Sequence, residues 1–135
     1  MTVTVIQIGL DPDEIDYSSP EFNQFAGLTK AGLRAANDDN VAGLRAAGYQ
    51  VDNCLIEFGP AGADKAAKWL RAKRYDAVLI GAGIRLVAGN TLLFESIVNI
   101  AHTTQPGCRF VFNRAAQSTP GDIRRWYPEP EGACR

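Results

Sequence analysis

This chain has one histidine, His102, and three widely separated cysteines, Cys54, Cys108 and Cys134. A lone imidazole cannot build a histidine metal cluster. An odd, scattered set of thiols argues against both a disulfide framework and a zinc site. Neither sign of charge is in excess: 14 lysines and arginines face 15 aspartates and glutamates. That balance removes the electrostatic case for nucleic acid or an anionic membrane surface as a partner. No apolar run approaches the roughly 20 residues that span a bilayer. The opening Met1-Thr2-Val3-Thr4-Val5 lacks the basic region of a signal peptide, so a cytoplasmic protein is expected. Ser118 sits in no Gly-x-Ser-x-Gly elbow, and no Walker A sequence occurs.

What is present is an ordinary globular composition, 46% hydrophobic and 21% charged over 135 residues. That length suits one domain with a real core. A single α/β domain over 1–127 is expected, with 128–135 as a frayed tail. Cys54 and Cys108 adjoin apolar segments and read as small core residues.

Strand and helix patterns alternate along the chain. Val3 to Ile8 is apolar enough for a strand buried on both faces. An acidic, aromatic loop runs from Leu10 to about Leu28. Thr29 can cap a helix reaching Ala47, with Gly48 as its stop. Asn37-Asp38-Asp39-Asn40 is poor helix material, a point at which the helix could break. Tyr49 to Phe58 mixes polar and apolar residues, which suits an edge strand. Gly59-Pro60-Ala61-Gly62 reads as a turn, with a helix from Asp64 through Leu70. Ala77 to Ile80 has no polar residue and should be a central strand. A helix from Leu92 to about Thr103 follows, then a fourth strand, Arg109 to Asn113. Thr119-Pro120-Gly121-Asp122 marks a last helix, with Thr119 as its cap.

Four such units predict a parallel sheet with helices on both faces, in the order 2-1-3-4. This is a three-layer α/β fold with flavodoxin-like, Rossmann-like winding. Its switch point lies between strands one and three, where ligands bind in such sheets. Tyr75 to Ile80 followed by Gly81-Ala82-Gly83-Ile84-Arg85 therefore marks the expected site. Glycines at a strand end let backbone N–H groups approach an anion, and Arg85 offers a bidentate clamp. Asn113 and Arg114 end the neighbouring strand, so Arg114 could join Arg85 on one anion. Asp11 should face them across the switch point. The expected binding residues are thus Asp11, Gly81, Gly83, Arg85, Asn113 and Arg114.

Cofactors are not expected. A dinucleotide fingerprint would need glycine where Leu86 stands, and it belongs after the first strand. The phosphate loop of a flavodoxin is replaced by Asp11-Pro12-Asp13-Glu14, which argues against FMN. A phosphoacceptor receiver needs aspartate where Gly81 stands. Asp11, Asp13, Glu14 and Asp16 lack EF-hand spacing and read as a solvated loop rather than a metal site. Tyr17, Phe22 and Phe25 in the same loop form either a flap over the switch point or a cluster that pins the loop. His102 lies about twelve residues into its helix, roughly 18 Å from the strand-end site, too far for a base in that pocket.

Gly81-Ala82-Gly83-Ile84-Arg85-Leu86, Leu92 to Asn99, Phe110-Val111-Phe112-Asn113 and Asp122-Ile123-Arg124-Arg125-Trp126 together resemble a family of small uncharacterised bacterial α/β proteins. The resemblance covers most of the chain. It implies the α/β fold and no activity, so it transfers no functional residue. Two functions then stand side by side. One is binding of a small anionic metabolite at the switch point, as a binding protein or as an enzyme with Asp11 as acid or base. The other is a non-catalytic interaction module using the aromatic loop and the apolar edge strand Phe110-Val111-Phe112. That edge should not stay uncovered, so a homodimer is expected.

Overall fold

The computed structural model describes residues 2–128. Four strands, β1 (Thr4–Leu10), β2 (Gln50–Ile56), β3 (Ala77–Ile80) and β4 (Arg109–Phe112), form one all-parallel sheet in the order β2-β1-β3-β4. The helices are α1 (Lys30–Ala46), α2 (Gly59–Ala72), the single turn α3 (Ala82–Arg85), α4 (Thr91–Thr104) and α5 (Thr119–Trp126). They flank the sheet in a three-layer, flavodoxin-like or Rossmann-like α/β arrangement. No helix among the described residues is long and apolar enough to cross a membrane.

Alternation along each strand divides the core in two. Ile6, Ile8, Cys54, Ile56, Val78 and Ile80 pack with Ala66 and Leu70 of α2 and Ile97 and Ala101 of α4. Val5, Val51, Ala77, Leu79 and Val111 pack on the opposite face with Val41 and Leu44 of α1 and Ile123 of α5. β3 is buried at all four positions, as its composition demands. β2 takes the edge, where Asp52 accepts hydrogen bonds from Tyr75 Oη (2.6 Å) and Lys73 Nζ (2.9 Å). Burial pushes the Cys54 thiol up to about 11, as befits a core residue.

Two local expectations are corrected, and one open point is settled. α1 does not break at Asn37-Asp38-Asp39-Asn40; it runs unbroken from its Thr29 cap, whose Oγ1 accepts from Gly32 N at 3.1 Å. Asn40 is buried and donates from Nδ2 to Ala116 O at 2.5 Å, a tertiary anchor that outweighs weak propensity. α2 begins at Gly59 rather than Asp64, because Pro60 is well suited to a first helical turn. Thr119 lies inside α5, and Ser118 holds the cap position. The expected tail, apart from Pro128, and Cys134 lie outside the described residues.

The loop after β1 is pinned. Phe22 is buried, 6.0 Å from the Phe25 ring and edge-on to Phe58 at 6.4 Å. Tyr17 Oη donates to Pro12 O at 2.8 Å, and Gln24 Nε2 to Leu86 O at 2.9 Å.

Candidate functional site

A cleft of about 450 Å³ lies over the carboxyl ends of β1 and β3, where Gly9 and Gly81 end the apolar run of each strand. Its back wall is the inner side of α1, with Leu33, Ala36, Asn37 and Asn40. Phe22, Phe25 and Leu28 of the pinned loop close one side, and residues 113–117 after β4 close the other. Phe22 and Phe25 of the aromatic loop thus pack against the core and also line the cleft, whereas Tyr17 does not line it.

Four of the six expected residues line this cleft: Gly81, Gly83, Asn113 and Arg114. Asp11 and Arg85 stand outside it. Asp11 caps a short turn, accepting from Asp13 N at 2.9 Å, and pairs with Arg34 at 3.4 Å. Its neighbour Asp13 pairs with both Lys30 (3.2 Å) and Arg34 (3.3 Å). Arg85 is turned toward β4. It donates to Ile80 O, to Asn113 O at 2.6 Å and to Asn113 Oδ1 at 3.2 Å, and its guanidinium lies 5.1 Å from the centre of the Phe112 ring. Burial pulls its pKa below the usual arginine value, against the opposing charge of Asp122.

Asn113 ties these elements together. Its Oδ1 also accepts from Ala82 N at 2.9 Å, and its Nδ2 donates to Thr119 Oγ1 at 3.1 Å. The backbone N–H groups expected to cradle an anion are thus partly in use: Ala82 N by Asn113, and Gly81 N by Ile8 O at 2.9 Å. Gly81 has φ −68°, so its freedom is not needed for a left-handed turn. At Gly83 a Cβ would come within 3.3 Å of Leu10 Cδ1, a tight contact that the Leu10 side chain would have to relieve by a small shift.

Among the described residues, Arg114 is the one charged residue lining the cleft. Its side chain is 76% exposed and held from behind by Nε donating to Asp122 Oδ1 at 3.0 Å. Asp122 itself is fully buried. Burial would raise its carboxyl, but Ser118 Oγ, Arg125 and Arg114 donate to it and hold it below the ordinary aspartate value.

Sequence reasoning missed the polar floor. Gln7 is 6% exposed in the middle of β1, beneath α1. Its Nε2 donates to Asn37 Oδ1 at 2.5 Å and reaches Asn53 Oδ1 at 3.4 Å. Its Oε1 has no partner among the described residues. The available signal was a glutamine inside an otherwise apolar strand, together with asparagines spaced three apart on the apolar side of a helix.

A second hollow of about 420 Å³ lies at the amino ends of β3 and β4, beside Arg71, Lys73 and Arg74. Its buried amide, Gln105, is fully engaged by Tyr75 N, Leu70 O and Lys73 O. The switch-point cleft is the better candidate, since it has uncommitted polar groups and the location that such sheets use. No protein-family model matches the chain, and no curated protein shows significant similarity to it.

Proposed function

We propose that this is a cytoplasmic small-molecule-binding protein that takes an anionic metabolite, a phosphate or a carboxylate, in the cleft at the carboxyl ends of β1, β3 and β4. The observation that carries the reading is the cleft itself: a concave, half-apolar space at the switch point with a single cation, Arg114, at its edge. Its volume falls within the roughly 300–1,000 Å³ common for ligand sites. Gly81, Gly83 and Asn113 shape the pocket, and Arg114 meets the anion. Arg85 and Asp11 act one step away, Arg85 by fixing Asn113 and Asp11 by orienting the loop through Arg34. The lining groups are amides, hydroxyls and one guanidinium, which suit recognition; the reading assigns no reaction.

The test is a thermal-shift screen with phosphates, nucleotides and carboxylates. A true ligand at a hundredfold excess over its Kd should stabilise the fold by about 2.7 kcal/mol. Arg114→Gln should weaken binding of the anion and leave a neutral analogue unaffected. No stabilisation by any anion would remove this reading.

A second reading has its own observation. Phe112 is 41% exposed on the edge strand β4, stacked 6.5 Å from Phe110 and edge-on to Phe94 at 6.2 Å. Such an edge favours association, so we propose a homodimer in which β4 or its adjoining helices are covered.

A further inference from the structure

We infer that the floor of the cleft reads an amide-type edge: a ligand group that carries an N–H donor next to an acceptor, as in a primary carboxamide or an amino-substituted nucleobase. This rests on the cleft being the ligand site and adds the chemistry of the part that enters deepest.

The argument starts from an acceptor without a partner. Gln7 lines the cleft and is more than nine-tenths buried, yet its Oε1 accepts nothing from the described residues. A buried polar atom left without a hydrogen bond is costly and uncommon in a native structure. Tethering α1 to the sheet does not explain it, because the tether uses only Nε2, toward Asn37 and Asn53. An apolar side chain at position 7 would fill the same layer without leaving an orphan.

The residue that Gln7 is tethered to carries a donor. Asn37 also lines the cleft, and its Oδ1 is the atom that receives Gln7 Nε2. That bond occupies Oδ1 and leaves the other end of the amide, Nδ2, open: no hydrogen bond among the described residues uses it. An open acceptor on Gln7 and an open donor on Asn37 match a ligand edge with the opposite order. Side-chain amides pair in this two-point manner with adenine edges, through one donor and one acceptor. Phe22, Phe25 and Leu28 supply the apolar wall for a flat ligand body, and Arg114 lies at the rim for an attached anion. Gln7 Oε1 is shielded from water, so the ligand reaches it by a partial rotation of the terminal amide that keeps Nε2 against Asn37 Oδ1. That torsion is broad and soft in glutamine.

The test is titration of the full chain, followed by the backbone and side-chain amide NMR signals. One arm uses adenine against purine, which lacks the amino group. The other uses nicotinamide against 3-acetylpyridine, which is neutral and keeps the carbonyl but lacks the amide N–H. In the arm that matches the natural ligand, the N–H-bearing member should bind about tenfold or more tightly and shift the Gln7 and Asn37 side-chain signals. The arm that responds distinguishes a base from a carboxamide. Gln7→Met should abolish the preference with the fold kept or stabilised. Asn37→Asp keeps an oxygen for Gln7 Nε2 but replaces the donor, and should weaken the same ligand about tenfold. It serves equally if Gln7→Met does not fold. Equal binding within both pairs, or an undiminished preference in both variants, overturns the inference. Inorganic phosphate separates this failure from that of the broader reading. Phosphate shifts at Arg114 without amide preference would sink the inference alone, whereas silence in every titration would sink both.

Discussion

The Arg85 guanidinium sits between two carbonyl groups on adjacent strands, Ile80 O and Asn113 O, and over the Phe112 ring. It cross-links the ends of β3 and β4. Arg85→Ala is therefore expected to lower unfolding free energy by about 1.5–3 kcal/mol, the range for charge-assisted hydrogen bonds. Arg85→Lys should not restore it, because an ammonium cannot bridge two carbonyls in the manner of a planar fork. Urea denaturation measures both, and a loss within error of zero would return Arg85 to the role of a free clamp. Asp122 makes a prediction in pH. Its folded pKa is depressed below the ordinary 3.8 by its donors. Its contribution is thus complete above that value and fades as pH falls through the lower folded one. Asp122→Asn should cost about 1.5–3 kcal/mol at neutral pH. The gap between variant and parent should narrow below about pH 4. At this scale the sequence pointed to the residues around the cleft better than to their contacts. Gly81, Gly83, Asn113 and Arg114 were legible from strand ends alone. The partners of Arg85 and Asp11 were not, because a side chain's direction depends on neighbours more than twenty residues away in sequence.

Elements were legible where pattern and propensity agreed. β3 came out at its expected bounds because four apolar residues between an aspartate and a glycine leave little choice. Thr29 and Gly48 bracket α1 as cap and stop, Gly48 with φ 102°. Expectation fell short where tertiary contact decided. The Asn37–Asn40 stretch stays helical since two of its amides are bonded across the domain. The start of α2 was hidden because Gly59-Pro60-Ala61-Gly62 has turn composition. Gly62 is there for space: a Cβ would collide with the Glu57 carbonyl. Gly62→Ala is expected to destabilise by about 1–3 kcal/mol despite alanine's better helix propensity. Thr29→Ala should cost about 1 kcal/mol through the lost cap. Thermal melts followed by circular dichroism would separate the two, and a neutral Gly62→Ala would mean that the loop before α2 gives way freely.

The strand order followed from the contrast between an apolar third strand and a polar second, and the whole sheet conforms to it. Assembly is the prediction that belongs at this scale. Phe112→Lys, on the exposed edge, should shift a dimer to monomer in light scattering, with a lower melting temperature from the lost ring contacts to Arg85 and Phe94. A parent chain already monomeric at working concentration would count against the covered edge. The central position of β1 has a consequence for biosynthesis. Ile8 pairs with Cys54 on one side and Ile80 on the other, so the first strand made is flanked by strands that do not yet exist. At a ribosomal pace of about 5–20 residues per second, β1 waits roughly 4–14 s for β3 to be polymerised. During that interval the nascent chain exposes Val5, Ile6 and Ile8 to its surroundings. A holdase that shields short apolar segments should therefore raise the yield of folded protein more when it acts during translation than when it is added afterwards.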